Sequence, residues 1–466
     1  MRIDYIGLSE VNGPLITLEN VSGVGYDEMC EITFSSGKRR AGRVILLDGD
    51  RAVVQVFEGT HGVSLENVTT RFTGQPMTLP LSHEILGRVF DGAGKPIDGL
   101  GAVCPQETRN INGSAINPVS RKYPRSCIYT GLSAIDGMST LIRGQKLPIF
   151  SGAGMRHNEL AAQIVKQAHV SDDDGGFAIV FAAMGVKNDT ADFFRRDFED
   201  AGALQRVVMY LNLASDPIIE RILTPRCALT AAEYLAFTLG FHVLVIMTDM
   251  TSYCEALREF SSSKGEIPSR KGYPSYLYSD LASLYERAGM IEGLPGSVTQ
   301  VPVLTMPNDD ITHPIPDLTG YITEGQIVLD RDMDQSKIYP PIAVLPSLSR
   351  LMKDGVGKGF TREDHPALSN QLFSSYAKVK EARALAGVIG EDELSELDKK
   401  YLQFGRLFED RFVRQQPSEN RTIDQTLEEG WGALNVLPSD ELDRVDAVLL
   451  KKYYKQEGVP ALRGDI

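Results

Sequence analysis

The region that most constrains the fold lies between residues 80 and 350, where apolar strand patterns alternate with helical patterns. The strand candidates are apolar along their whole length, and they span residues 146–150, 177–183, 207–213, 242–248 and 298–306. The helix candidates between them span residues 159–168, 190–200, 217–239 and 276–288. Apolar strands that alternate with helices predict a mainly parallel sheet covered on both faces. Ligands of such sheets bind beyond the carboxyl ends of the strands.

The first 75 residues show a different pattern. Short runs at 31–34, 43–47 and 52–57 are rich in β-branched and aromatic residues, and a tight-hairpin signal, Asp48-Gly49, separates the last two. This pattern predicts an N-terminal β-barrel over residues 1–75. Gly74, Pro76 and Pro80 then indicate a linker.

Helical periodicity dominates the C-terminal part of the chain. Apolar residues three or four positions apart form a one-sided stripe of Leu394, Leu397, Tyr401, Phe404, Phe408 and Phe412. Thr422 and Gln425 resemble a capping box that opens another helix. The sequence therefore predicts an α/β multidomain protein with a barrel (1–75), an α/β domain (76–355) and a C-terminal α-helical bundle (356–466).

Composition excludes several classes of function. The chain of 466 residues has 62 acidic and 48 basic side chains, a net charge of −14, which disfavours binding to nucleic acid. No apolar run approaches the ~18 residues needed to span a bilayer, so no direct membrane insertion is expected. The five cysteines are far apart and include no C-x-x-C pair. They predict reduced thiols in the cytoplasm and no metal site.

A glycine-rich segment, residues 151–158, joins the first of these strands to the helix after it, which is the place of a phosphate-binding loop. A working loop reads G-x-x-x-x-G-K-[S/T], and its lysine and hydroxyl hold phosphates and Mg²⁺. Here Ser151 replaces the first glycine, while Arg156, His157 and Asn158 replace the glycine, the lysine and the hydroxyl residue. Imidazole is mostly neutral at pH 7 and does not substitute for a fixed ammonium. The central region is thus predicted to be a RecA-like P-loop α/β domain with a degenerate loop.

Two alternatives remain open for this loop. Gly152, Gly154 and the helix N-terminus can still donate backbone N–H groups to an anion, and Arg156 can add charge. A glycine-rich turn that binds no phosphate would have the same pattern. The strand at 242–248 ends in Asp249, which is typical of the Walker-B carboxylate that faces Mg²⁺. An aspartate that only caps the next turn would look the same.

Long motifs across the chain resemble the rotary ATPase subunits. They lie at 87–99, 130–136 (TGLSAID), 272–278, 285–289 (YERAG) and 296–326, the last containing DDITHPIP. Together with the order of barrel, α/β domain and bundle, these motifs are most similar to the B subunit of V-type (archaeal and bacterial A/V-type) ATPases.

The resemblance implies a non-catalytic subunit. In this family three catalytic A subunits alternate with three B subunits in a hexameric ring, ATP or ADP binds at the A–B interface, and the partner subunit holds Mg²⁺. Catalytic subunits carry Gly-Glu-Arg after a strand, and the Glu polarises the attacking water. At that place this chain has Val186, which can neither accept a proton nor orient water.

The segment 340–350 resembles the family signature P-[SAP]-[LIV]-[DNH]-x₃-S-x-S. Ala343 departs from the polar position, whereas Ser347 and Ser349 match it. Arg350 follows directly, where the family's B subunits present an arginine finger to the neighbouring A subunit's ATP. A structural arginine paired with a carboxylate at the interface is the alternative.

Other roles also follow from the resemblance. Thr312 and Tyr321 would help to line the shared nucleotide pocket, or would instead satisfy a loop and pack in the core. The acidic segment 390–397 would contact the central shaft, or would be a solvated turn. The barrel would hold the ring together and contact the peripheral stalk, with the complex on the cytoplasmic side and peripheral to the membrane.

Two rival functions are weaker. A self-sufficient ring ATPase, such as a secretion export motor, needs the loop lysine that His157 replaces. A hexamer that translocates nucleic acid shares the barrel and α/β plan, but the net charge and the bundle oppose it. The sequence does not distinguish H⁺ from Na⁺ transport, or synthesis of ATP from hydrolysis.

Overall fold

The computed structural model describes residues 3–171, 176–455 and 462. It has an N-terminal β-barrel, a central α/β domain and a C-terminal helical domain, so the predicted fold class is confirmed. The predicted end of the bundle at residue 466 lies outside the described residues.

The barrel consists of seven antiparallel strands: β1 Asp4–Ile6, β2 Glu10–Asn12, β3 Leu15–Leu18, β4 Glu28–Phe34, β5 Arg39–Asp48, β6 Arg51–Val56 and β7 Val68–Pro76. They pair in the order β1-β7-β4-β5-β6-β3-β2. Asp48 pairs with Arg51 across a two-residue turn at Gly49, whose φ of 60° favours glycine. The predicted hairpin is therefore present. Ile16, Ile32 and Val54 belong to a separate barrel core.

The central domain contains the remaining strands: β8 Thr78–Leu81, β9 Val89–Asp91, β10 Glu107–Asn110, β11 Arg121–Lys122, β12 Cys127–Ile128, β13 Leu141–Ile142, β14 Ile149–Gly152, β15 Phe177–Val186, β16 Val207–Leu213, β17 His242–Thr248, β18 Gly289–Ile291, β19 Ser297–Met306, β20 Gly325–Leu329 and β21 Ile342–Ser349. Its main sheet runs β21-β20-β14-β19-β17-β15-β16-β9. The strands are parallel from β20 to β9, and β21 is antiparallel at one edge.

Helices cover both faces of this sheet: α1 Ser133–Asp136, α2 His157–Gln167, α3 Asn188–Asp200, α4 Ile218–Glu233, α5 Met250–Ser263, α6 Leu277–Tyr285, α7 Pro314–Ile322, α8 Arg331–Gln335 and α9 Met352–Gly355. Alternate side chains of β15 enter different cores, with Ile179 and Phe181 on one face and Ala178 and Val180 on the other. This two-faced burial explains why the strands are apolar throughout.

The C-terminal domain contains α10 His365–Ile389, α11 Glu396–Leu407, α12 Ile423–Leu434 and α13 Ala447–Tyr453. Leu368, Phe404 and Trp431 share one continuous core with β15 and α2, so the bundle packs directly on the α/β domain. The predicted capping box is present, because Thr422 and Gln425 each bind the backbone of the other.

The predicted linker after the barrel is wrong. Its three marker residues lie in or beside strands, since β7 extends to Pro76 and β8 contains Pro80. β8 pairs with β10, which lies about thirty residues further on (Thr78 with Asn110), and that long-range pairing leaves no local sequence signal. The barrel thus continues into the central domain through ordered strands.

Among the described residues, no helix is long and apolar enough to cross a membrane, and no cluster of His, Cys, Asp and Glu could hold a metal ion. The cysteine thiols are all free: Cys30, Cys104, Cys127, Cys227 and Cys254.

Candidate functional site

The degenerate loop lies at the carboxyl edge of the central sheet. β14 pairs with β19 on one side and β20 on the other, and α2 begins at His157, within the last two residues of the loop segment. The loop therefore occupies the position at which a parallel sheet of this kind binds phosphate.

Side chains of the chain itself fill the space beside Gly152. Its backbone N–H donates to Met155 Sδ at 3.3 Å. A β-carbon at Gly152 would lie 2.3 Å from Asp309 Oδ1 and 2.6 Å from Arg331 Nη2. Arg331 binds both carboxylate oxygens of Asp309, at 2.7 and 2.9 Å, and donates to the carbonyl of Ala153 at 3.0 Å. An ion pair thus closes over the loop.

The two basic side chains of the loop do not supply a cation to this space. Burial lowers the pKa of His157, although the nearby carboxylate of Asp249 acts in the opposite direction, so the ring is neutral at pH 7. His157 Nδ1 lies 3.0 Å from Ser151 Oγ. Arg156 donates from Nε to Asp334 at 2.9 Å, and its guanidinium lies over the ring of Tyr339, 5.0 Å from the centroid.

The Walker-B-like residue serves as a helix cap. Asp249 accepts hydrogen bonds from the backbone N–H groups of Thr251 at 2.8 Å and Thr305 at 3.1 Å, and it caps α5. Asn158, in place of the Mg²⁺-binding hydroxyl, receives a long bond of 3.5 Å from Thr248 Oγ1. Asp249 Oδ1 is thus used within the chain, as a helix cap.

Val186 ends β15, where its aliphatic side chain is nearly buried. It offers no carboxylate to an attacking water. With a neutral His157, an ion pair over the loop and Val186 at this place, the residues present do not fit a hydrolysable magnesium triphosphate.

The second predicted site lies at the other edge of the sheet from the loop, beside the amino end of β20. Arg350 directly follows β21, and its backbone N–H donates to the carbonyl of Glu324 at 2.9 Å. The side chain is exposed. Among the described residues, none forms a hydrogen bond or an ion pair with its guanidinium.

Ser347 and Ser349 face inward on the same strand. Ser347 Oγ donates to the carbonyl of Ala343 at 2.6 Å and accepts from Val328 N–H at 2.9 Å. Ser349 Oγ donates to the carbonyl of Thr140 at 2.8 Å. Both hydroxyls therefore bind the chain's own backbone and fix the strand that ends at Arg350.

Comparison with known proteins supplies the family. Three family models match consecutive parts of the chain: the ATP synthase alpha/beta family beta-barrel domain (8–74), the nucleotide-binding domain of the same family (131–349) and the C-terminal domain of V and A type ATP synthase (354–454). The V-type ATP synthase beta chain 2 of Clostridium tetani is 62% identical over 98% of this chain and 99% of its own length. The chain belongs to the beta-chain family of V-type ATP synthases.

Other relatives support membership of the same family. The V-type ATP synthase beta chain of Halothermothrix orenii is 62% identical over 97% of this beta chain and 98% of its own length. The solved structure of the ATP synthase subunit NeqB from Nanoarcheaum equitans is 40% identical, has a TM-score of 0.72, and covers 90% of this chain and 98% of its own.

Thr312 and Tyr321 lie near the start and the end of α7 in this beta chain. Thr312 donates from Oγ1 to the side-chain carboxylate of Asp310 at 2.6 Å. Tyr321 is 75% exposed, which excludes the alternative of core packing. Tyr321 lies three residues before Glu324, whose carbonyl accepts the backbone N–H of Arg350.

Sequence reasoning missed the groups that surround both sites. Asp309 and Arg331, which close the loop, are far from it along the chain, and only Asp309 lies in a motif that drew attention. Gln145 and Lys146 contact the segment that carries Arg350, whereas the sequence pattern marks only Lys146, as the start of a strand. No periodic pattern marks such contacts.

Proposed function

We propose that this beta chain is the non-catalytic B subunit of a rotary ATPase or ATP synthase. It completes the nucleotide site of a neighbouring A subunit in trans, and the complex couples ATP hydrolysis or synthesis to H⁺ or Na⁺ transport. The observation that carries the proposal is the exposed guanidinium of Arg350, which follows a fixed strand end and has no hydrogen-bond or ion-pair partner in the part of the chain that the structure describes.

The chain's own loop supports the non-catalytic role. Hydrolysis needs a cation at the phosphates and a group that orients water. The chain has the neutral His157 of the loop at the first place and Val186, at the end of β15, at the second, and the Asp309–Arg331 pair lies over Gly152. Two separate requirements are therefore unmet in one chain.

Arg350 has the chemistry required to act on a neighbour's ATP. Its guanidinium stays charged, and its planar set of donors matches phosphate oxygens. An arginine supplied to a phosphoryl-transfer site increases turnover by ~10³–10⁵. ATP or ADP would bind at the A–B interface, where the A subunit holds Mg²⁺ and this chain contributes the guanidinium. Because β20 and β21 hold the backbone of Arg350, only the side chain must be ordered on binding.

Neighbouring residues would support this interface. Tyr321 presents an exposed ring at the end of α7, and Leu348, on the strand that precedes Arg350, is 52% exposed. Thr312 holds the loop before α7, while Ser347 and Ser349 contribute through the strand that they fix. Aromatic and arginine side chains are the residue types enriched in protein interfaces.

The remaining domains would place the subunit in a ring of three A and three B chains. At the end of α10, Val388 is 82% exposed and the acidic residues Glu391, Asp392 and Glu393 follow it, which suits contact with the central shaft. The barrel, with Ile6 exposed at its edge, would hold the ring and contact the peripheral stalk. The assembly would work on the cytoplasmic side, peripheral to the membrane.

Reconstitution tests the proposal. The purified beta chain should hydrolyse no ATP above background, the A chain alone should be slow, and the mixture should form rings with sustained turnover. Counting tightly bound nucleotide in those rings should give one site for each A–B pair in the catalytic orientation. Turnover by the beta chain alone, free of A chain, would refute the proposal.

A further inference from the structure

The strand that carries Arg350 is an edge strand and needs support from outside the sheet. Among the described residues, β21 pairs with β20 alone and no strand lies on its other side. Besides the β20 ladder, its position relative to the central strands therefore depends on side-chain contacts. The turn between β13 and β14 supplies them.

Gln145 is the central residue of that turn, and it is completely buried. Its Nε2 donates to Ser349 Oγ at 2.9 Å and to the carbonyl of Glu324 at 3.3 Å. Its Oε1 accepts the N–H of Ile142 at 3.0 Å, so both ends of the carboxamide are used. One side chain thus joins the two segments that flank Arg350, because Arg350 N–H donates to the same Glu324 carbonyl.

The backbone of Gln145 is itself fixed to the middle of the sheet. Its carbonyl accepts the N–H of Gln300, in β19, at 2.9 Å. The contacts therefore form a continuous series from β19, through Gln145, to Ser349 and Glu324. Because Gln145 is bonded to β19 and to Ser349, it holds the end of β21 in a fixed position relative to the central strands.

Lys146 reinforces the same segment. Its side chain is only 4% exposed, and Nζ lies 3.1 Å from Glu324 Oε1 and 2.7 Å from Glu286 Oε1. Its backbone N–H donates to Glu324 Oε2 at 2.8 Å. Glu324 is therefore held at its carbonyl by Gln145 and at its carboxylate by Lys146.

We infer that Gln145 is a positioning residue for Arg350, a role that rests on the function proposed above. Its carboxamide fixes Ser349 and Glu324, and thereby the backbone position from which the Arg350 side chain extends. It does not reach the nucleotide. In a phosphoryl-transfer site a displacement of ~1 Å costs about 10²-fold in rate, so loss of this contact should reduce turnover without removing the arginine.

The test uses rings reassembled from A chain and variant beta chain. Gln145→Leu keeps the approximate size of the side chain and removes both hydrogen-bonding groups. Assembled rings should show a kcat lower by ~10–10²-fold and a KM within about threefold of the parent. Ser349→Ala removes the partner of the same hydrogen bond and should cause a smaller loss of the same kind. If Gln145→Leu does not fold, the kcat of Ser349→Ala rings tests the positioning role instead.

The chain offers a closely matched control in the bundle. Gln371 is also buried, and its Nε2 donates to Ser375 Oγ at 3.0 Å and to the carbonyl of Glu441 at 3.2 Å, while Oε1 accepts Arg444 N–H at 2.9 Å. Gln371→Leu should lower thermal stability and leave the kcat of assembled rings unchanged.

A double-mutant cycle separates positioning from general damage. If Gln145 acts through Arg350, Gln145→Leu should have no further effect on single-turnover rates in the Arg350→Ala background. Full kcat in Gln145→Leu rings, or the same fold-loss in both backgrounds, would overturn the inference. Unchanged turnover in Arg350→Ala alone would instead refute the proposed function.

Discussion

The close contact between β20 and β21 makes Gly325→Ala a quantitative probe of Arg350. Gly325 has a φ of 139°, and a β-carbon there would lie 1.9 Å from the carbonyl oxygen of Leu348 and 3.1 Å from Ser349 Cα. A close contact between carbon and carbonyl oxygen is about 3.3 Å, so the two strands would have to separate by about 1.4 Å. The atoms that must move are backbone atoms directly before Arg350.

A displacement of this size should reduce turnover strongly. A shift of ~1 Å corresponds to about 10²-fold in rate, or about 2.7 kcal/mol in the activation barrier. Backbone strain at such a φ should also cost on the order of 1–3 kcal/mol in the free energy of unfolding. Steady-state ATP hydrolysis by assembled rings measures the first effect, and thermal unfolding of the beta chain measures the second.

Gly320→Ala is the control on the neighbouring helix α7. Its new β-carbon would meet only Gln326 Oε1, at 3.8 Å, which is ordinary van der Waals contact. This variant should assemble and turn over normally. Gly325→Ala rings that assemble fully and keep the parent kcat would refute the argument that the β20–β21 contact sets the position of Arg350.

Two further predictions concern the loop and the domain junction. His157→Lys should create no second hydrolytic site, because Val186 cannot orient water and Arg331 with Asp309 still closes the loop; additional sites in single-turnover ATP counting would contradict this. His365 lies in the bundle, with its Nε2 3.0 Å from the carbonyl of Gly137 in the α/β domain, and burial lowers its pKa to about 4. Its neutral form therefore stabilises the fold above about pH 6.5, the pKa of an unfolded histidine, and this stability is lost as the pH falls towards 4. The difference in unfolding free energy between the parent and His365→Gln should therefore shrink by about 2 kcal/mol from pH 7 to pH 5, and a constant difference in denaturant unfolding would exclude a neutral buried His365.

The architecture was predictable wherever local patterns determine it. The strand predicted at 242–248 is observed as His242–Thr248, since burial on both faces makes its five central residues apolar. Thr422 and Gln425 were identified as a cap because both partners lie within one turn. The β8–β10 pair was missed because its partners are distant in sequence and contain proline.

The candidate site was predictable only in part, for the same reason. The replacements at His157 and Val186 are visible in the sequence because a loop motif has fixed spacing. The closure of the loop by Arg331 and Asp309, and the support of Arg350 by Gln145, join segments far apart in the chain. Such contacts depend on the assembled sheet, and no periodicity or motif spacing reports them.

The central claim, that Arg350 acts on the nucleotide of a neighbouring A subunit, is tested most directly by turnover in rings that contain Arg350→Ala or Arg350→Lys. Alanine should leave assembly and ATP binding largely intact and lower kcat by ~10³–10⁵, which corresponds to about 4–7 kcal/mol of lost transition-state stabilisation. Lysine keeps the charge but lacks the planar donor set, so it should also fail to sustain turnover. Near-parental kcat in well-assembled Arg350→Lys rings would contradict the account and reduce Arg350 to a structural interface residue.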